Sequence, residues 1–141
     1  MTAAKTFVDS NILIYAYDAD AGAKQVLAEK CLDDLWKSQT GCLSLQVLQE
    51  FYVNATRKLH TPLPHLRARQ IVQRFAEWEP IRPDLEMFLR ATDLVAQKRF
   101  SFWDALIIVT ALESGATTLY SEDFTAGQTI QGLKIRNPLT P

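Results

Sequence analysis

Short apolar runs alternate along the chain with longer stretches in which apolar residues return every third or fourth position. The two periods predict strands separated by helices. Residues 6–9 (TFVD) read as a short buried strand, with Ser10 and Asn11 turning into a first helix, ILIYAY. Asp20 stands where it can cap a second helix, along which Val26, Leu27, Leu32, Leu35 and Trp36 recur at helical spacing. Gly41 closes the connection to a second strand at Cys42 and Leu43, and Ser44 caps the helix that follows. That helix carries Leu45, Leu48, Phe51 and Tyr52 on one stripe, with Glu50 just off it. The two prolines of HTPLPHL break it.

The second half repeats the alternation. A helix is expected over 64–78, a third strand over 79–81, and a helix over 85–98 opened by Pro83 and Asp84. Ser101 and Asp104 have the S-x-x-D spacing of a capping box for DALIIVTALESG, which Gly115 ends. Residues 117–120 give a fourth strand and 133–136 a fifth. Strands joined through helices build βαβ units, hence an α/β fold with a parallel sheet covered on both faces. Ligands of such sheets bind beyond the carboxyl ends of the strands.

Against this pattern four acids are out of place: Asp9 in KTFVDSN, Glu50 in SLQVLQEFY, Asp104 in SFWDALI and Asp123 in TTLYSEDF. Each lies inside or beside an apolar run, where an ionised carboxylate is costly without a compensating positive charge. Asp9 and Asp123 fall at strand ends, and Glu50 and Asp104 on helical turns able to reach the same edge. Each also has a plainer role: turn hydrogen bonding for Asp9, solvation for Glu50, a helix cap for Asp104, a polar loop for Asp123. Together at one edge they would repel one another, and a divalent cation is the usual remedy. All-oxygen ligands suit Mg²⁺ or Mn²⁺, and no Cys/His cluster points to zinc.

The remaining composition narrows the field. A chain of 141 residues, 48% hydrophobic and 22% charged, suits one domain over 1–141 with one core. No apolar run is long enough to span a membrane or to serve as a secretion signal, and Cys31 and Cys42 read as reduced core thiols, so a cytoplasmic protein is expected. Charge is unevenly spread. Between Phe51 and Ala76 there is no acid, while Arg57, Lys58, Arg67, Arg69 and Arg74 are cationic; that stretch carries +5 in a chain of net −1, leaving −6 elsewhere. It can meet a polyanion or an acidic partner, or remain a solvated face.

With these pieces in place the chain resembles a PIN-domain ribonuclease, and within that family the VapC-type toxins of toxin–antitoxin pairs. The resemblance is carried by FVDSNILIYAY, VLQEFYVNATRK, SFWDALIIVTAL and TTLYSEDFTAGQTIQGLKIRNP, which together span most of the chain. It implies a three-layer α/β/α sandwich with a short, mainly parallel sheet of about four to five strands. It maps an acidic quartet onto Asp9, Glu50, Asp104 and Asp123, with Asn11 and Ser121 orienting carboxylates or substrate. It further implies hydrolysis of RNA by metal-activated water with Mg²⁺ or Mn²⁺, neutralisation by a small antitoxin, and a homodimer. Arg57, Lys58, Arg67 and Arg69 are candidate RNA or antitoxin contacts. Tyr15, Tyr17, Trp36, Phe51 and Tyr52 either line a partner groove or, as aromatics at helical spacing usually do, face the core.

Other readings fit less well. A nucleophilic phosphatase wants a second acid two residues beyond Asp9, where Asn11 stands. A receiver domain lacks its acceptor Asp after a central strand, and a flap nuclease needs a longer chain. A non-catalytic RNA- or protein-binding module on the same fold is the alternative, but it has no need of four mutually repelling carboxylates. Whether Glu122 or Asp123 faces the ion is open at this level. From reference pKa values alone, metal stabilisation is expected to fade below about pH 4–5.

Overall fold

A computed structural model of the protein describes residues 3–97 and 99–140. Strand β1 (Lys5–Val8) leads into helix α1 (Ser10–Ala16), and α2 (Ala23–Ser38) returns the chain to β2 (Gly41–Cys42). Helices α3 (Leu45–Arg57) and α4 (His65–Phe75) form the next layer, and α5 (Leu85–Ala96) and α6 (Phe102–Glu113) precede β3 (Ala116–Tyr120). The short β4 (Thr129–Ile130) and β5 (Leu133–Arg136) complete a five-stranded sheet of order β2-β1-β3-β5-β4. All pairings are parallel except β4 with β5. With its flanking helices this is the expected α/β/α sandwich.

The core is one cluster in which Phe7, Val8, Ile12, Leu13, Leu119 and Ile135 have no exposure. It explains the central strand β1: consecutive Phe7 and Val8 point to opposite faces and neither has any exposure, so both faces are covered there, while Leu119 anchors β3 in the same core. Helix α6 has seven consecutive buried residues from Ala105 to Ala111, as a helix packed against strands β3 and β5 and against α5 must have.

Several boundaries differ from the expectations, each for a local reason. Ser10 and Asn11 are already helical, because Asp9 takes the capping position. Asp20 does not cap α2; that place falls to Gly22 at φ +61, while the Asp20 carboxylate accepts a hydrogen bond from the Thr61 hydroxyl at 2.8 Å. The expected helix over 64–78 is α4 followed by a 3-10 turn, Ala76–Trp78, whose end is Glu79 at φ +53. The expected strand over 79–81 shrinks to a single parallel bridge between Ser44 and Ile81, since a left-handed Glu79 cannot continue a ladder. Strand β4 has no sequence signal beyond two residues. The expected helix end at Lys98 lies outside the described residues, and α5 closes at Ala96.

Gly41 has a steric purpose. Trp36, Phe75 and Trp78 pack together with ring centroids 4.9–5.3 Å apart. A Cβ on Gly41 would lie 2.7 Å from Cζ2 and Cζ3 of Trp78. Gly41→Ala should therefore displace this aromatic cluster and cost about 1–3 kcal/mol, the range for overpacking. Chemical denaturation would register it as a lower midpoint at unchanged slope; an unaltered midpoint would show that Trp78 moves aside freely.

Candidate active site

The adjacency of β1 and β3 creates the site. The Asp9 amide donates to the Tyr120 carbonyl at 3.0 Å, continuing the ladder one step past both strands and bringing Asp9 beside Ser121. Asp9 is 5% exposed and caps α1. Its Oδ1 accepts from the Ser10 amide at 2.7 Å; its Oδ2 accepts from the Ser121 hydroxyl at 2.7 Å and from the Asn11 side-chain amide at 3.4 Å. Burial nonetheless outweighs the donors: desolvation, with repulsion from Asp123 and Asp104 added, pushes the Asp9 carboxyl up to about 6.

Asn11 and Ser121 tie the acids together. The Asn11 Nδ2 donates to Ser121 Oγ at 3.2 Å and to Asp123 Oδ2 at 3.1 Å, while its Oδ1 accepts from the Glu122 amide at 3.2 Å. Ser121 is wholly buried, and its hydroxyl oxygen also accepts from the Asp123 amide at 3.1 Å. One asparagine thus spans the ends of β1 and β3.

The Glu122–Asp123 pair divides cleanly. Glu122 turns to the α1–α2 side, where Tyr15 donates to its Oε1 at 2.8 Å and the Lys24 ammonium lies 2.6 Å from its Oε2. Burial raises its carboxyl, but Lys24 and Tyr15 together hold it below the usual range. Asp123, sharing Asn11 with Asp9, is the one directed to the other acids. Lys24 and Tyr15 were not among the expected site residues. Nothing local signals them, since 98 residues separate Lys24 from its partner.

Helices supply the other two carboxylates. Ser44 caps α3 through the Val47 amide, fixing its first turn, and Glu50 projects from the second. Glu50 is half-buried, and its Oε1 is closed to solvent with no donor. Desolvation, then repulsion from Asp9, pushes its carboxyl up to about 7; the Ser10 hydroxyl opposes this by hydrogen bonding, and Asp104 and Asp123 add to it. Asp104 sits on the first turn of α6, its amide bonded to the Ser101 hydroxyl at 3.2 Å as the capping spacing predicted. Burial raises its carboxyl, and Asp123 raises it further. Asp104 and exposed Asp123 line a cleft of about 190 Å³ with Arg99, Phe100 and Phe124.

The four acids therefore share one electrostatic neighbourhood. Among the described residues no three acidic, imidazole or thiol groups already close on a single point. Their chemistry still fits a hard cation: the donors are all oxygen, and Glu50 presents an unmatched buried oxygen, an arrangement that costs about 1–3 kcal/mol when left alone.

The basic residues lie elsewhere. Arg57 ends α3, Lys58 follows it, and both are exposed. Arg67 stacks on Tyr17 at 5.7 Å and Arg74 on Trp36 at 4.6 Å, around a larger cavity of about 430 Å³ that includes none of the four acids. Arg69 faces an apolar groove between α3 and α4 with Leu48, Tyr52 and Val72. The cluster is split over two surfaces of α4. Of the aromatics, Phe51 is buried core, Tyr17 and Trp36 line the 430 Å³ cavity, and Tyr15 binds Glu122.

Comparison with known proteins agrees with this architecture. The profile of the PIN domain family matches residues 6–127. The crystal structure of VapC20 from Mycobacterium tuberculosis, a sarcin-ricin loop cleaving toxin, superposes with a TM-score of 0.61 at 19% identity, over 84% of this chain and 90% of that one. No curated protein matches the chain at a significant level.

The raised carboxyls revise the pH expectation. A folded-state value above the unfolded one makes ionisation favour unfolding, so the metal-free protein should lose stability as pH rises from about 4 to 7. Asp9 alone accounts for at most about 3 kcal/mol of that loss, its shift being about two pH units. Stabilisation by Mn²⁺ should accordingly fade below about pH 6–7 rather than 4–5, because bound protons compete with the ion. Melting curves across this range, with chelator and with Mn²⁺, give the check; a metal-free melting temperature rising from pH 5 to 7 would contradict the burial of Asp9.

Proposed function

The chain belongs to the PIN domain family, and from that premise we propose that it is a Mg²⁺- or Mn²⁺-dependent endoribonuclease, the toxin of a toxin–antitoxin pair, working as a single domain over 1–141. The observation that carries the proposal is Asp9: a carboxylate nine-tenths buried, repelled by Asp104 and Asp123, beside a Glu50 oxygen without a donor. An arrangement this unfavourable in the empty protein is understandable where a cation completes it. The likeness in fold to a toxin described as sarcin-ricin loop cleaving supports this choice of substrate.

Asp9 and Asp104 are the principal ligands in this reading, with Asp123 and Glu50 completing the set directly or through water. A bound divalent cation would offset charge on the phosphoryl oxygens and lower the pKa of a coordinated water. The chain's own residues do the rest. Ser121, Asn11 and the Ser10 amide fix the direction of the Asp9 lone pairs. Asn11 sets Asp123 against Asp9. The Lys24–Glu122–Tyr15 cluster keeps Glu122 out of the site. In the metal-free chain burial raises the Glu50 carboxyl to about 7, so a cation arriving there at neutral pH would displace its proton.

The partners follow from the same reading: an RNA substrate, a small cognate antitoxin, a second copy of the chain, and a cytoplasmic setting. Among the described residues no helix is long and apolar enough to cross a membrane.

Asp104→Asn keeps the backbone amide that Ser101 caps while removing a ligand charge. It should leave the fold intact, weaken Mn²⁺ binding by at least about tenfold, and lower RNA cleavage accordingly. Full cleavage with full Mn²⁺ affinity would reduce Asp104 to a helix cap. For the basic residues, the pairs Arg57→Gln with Lys58→Gln and Arg67→Gln with Arg69→Gln should each weaken RNA binding, the log–log salt slope falling in magnitude by about 0.7 per lost phosphate contact. Normal RNA affinity with lost antitoxin inhibition would assign these side chains to the partner instead.

A further inference from the structure

Among the described residues Arg99 is the one cationic side chain lining the cleft of about 190 Å³ that Asp104 and Asp123 share. It stands in the connection between α5 and α6, two residues before the Ser101 that caps α6. An arginine in such company would ordinarily close on a carboxylate. It does not: the ion pairs among the described residues are Lys24–Glu122 and Arg90–Glu113. The Arg99 guanidinium carbon instead lies 5.3 Å from the centroid of the Phe100 ring. Phe100 is half-buried and packs against Phe124, itself 8% exposed, with ring centroids 6.1 Å apart. An exposed guanidinium is thus held at the cleft on an anchored aromatic ring, paired with neither acid.

A guanidinium bonded to Asp104 or Asp123 would occupy oxygens that a cation needs. One resting on a ring keeps its planar fork of donors for another anion, and that fork matches a phosphate. The cleft is several times larger than the roughly 30 Å³ share of one water, so it admits more than solvent. The cations of α4 do not serve this place, since Arg67 and Arg74 surround a cavity that includes none of the four acids. A polyanion drawn to the acidic edge therefore meets concentrated negative charge, and Arg99 is the side chain placed to offset it. The proposal rests on the reading of the acidic site as a ribonuclease centre. We propose that Arg99 is a substrate-positioning residue, its guanidinium donating hydrogen bonds to a backbone phosphate of the RNA strand as it enters the cleft beside Asp104 and Asp123.

Fluorescence anisotropy of a labelled single-stranded RNA of mixed sequence, titrated with the full chain in chelator over a series of salt concentrations, reads this contact without cleavage. Arg99→Gln should bind about tenfold more weakly, as for a lost hydrogen bond to a charged group. Its log–log salt slope should fall in magnitude by about 0.7, and Arg99→Lys, which keeps the charge, should restore the slope. Mn²⁺ affinity of Arg99→Gln, followed by electron paramagnetic resonance, should equal or exceed that of the unaltered chain, because a positive charge has left the neighbourhood of the acids. Unchanged RNA affinity and slope in Arg99→Gln overturns the proposal, and so does a slope that Arg99→Lys leaves reduced. A fall in Mn²⁺ affinity also overturns it, by making Arg99 a brace for the acids. Arg90→Gln is the control, its cation being already paired with Glu113; an equal loss of RNA binding there would reduce the effect to net charge and overturn the proposal. An unaltered chain that binds Mn²⁺ but no RNA overturns the ribonuclease reading itself, whereas RNA binding that only Arg99→Gln leaves untouched removes Arg99 alone.

Discussion

A carboxylate withdrawn from water must be answered by donors or by a cation, and at Asp9 the donors do not suffice. Three hydrogen bonds, from the Ser10 amide, the Ser121 hydroxyl and the Asn11 amide, converge on it, yet its carboxyl still stands near 6. The neighbouring acids make the deficit worse. Much of the surrounding structure serves to hold this unfavourable group still. Asp9 caps α1, Ser121 is buried to reach it, and Asn11 links it to Asp123.

The sheet makes this convergence possible. The order β2-β1-β3-β5-β4 places β1 beside β3, so the chain leaves both strands at the same edge although 112 residues separate Asp9 from Ser121. Helices α3 and α6 bring Glu50 and Asp104 from other parts of the sequence, each behind a serine cap that fixes its first turn. Rigid elements suit the proposed cation site, because oxygens held by strand ends and capped helices would need little ordering to ligate an ion. The Lys24–Glu122 pair has a different use. It is exposed and so worth little to stability, but it removes a fifth carboxylate from a neighbourhood already crowded with negative charge.

Much of this was legible before the structure, and the limits are physical. The alternation of short strands with helices announced βαβ units and a sheet covered on both faces. Ser44, Asp84 and Ser101 were readable as caps, since each is followed by its helix in the expected spacing. Asp20 misled because its side chain is used across the fold, by Thr61, rather than by its own helix. The strand expected over 79–81 failed on one left-handed residue, which composition does not reveal. The four acids were visible as charges in apolar surroundings. The division of labour between Glu122 and Asp123 was not, because it depends on Lys24 and Tyr15 arriving from distant parts of the chain.

The central claim is that this edge of the sheet is built around a cation. Crystals grown at about pH 8 with Mn²⁺, measured at a wavelength where manganese scatters anomalously, test it most directly. The account predicts an anomalous peak with carboxylate oxygens of Asp9 and Asp104 as ligands, Asp123 and Glu50 completing the coordination directly or through water. A peak at another place on the protein, or none at saturating Mn²⁺ with the acids arranged as described, would contradict it.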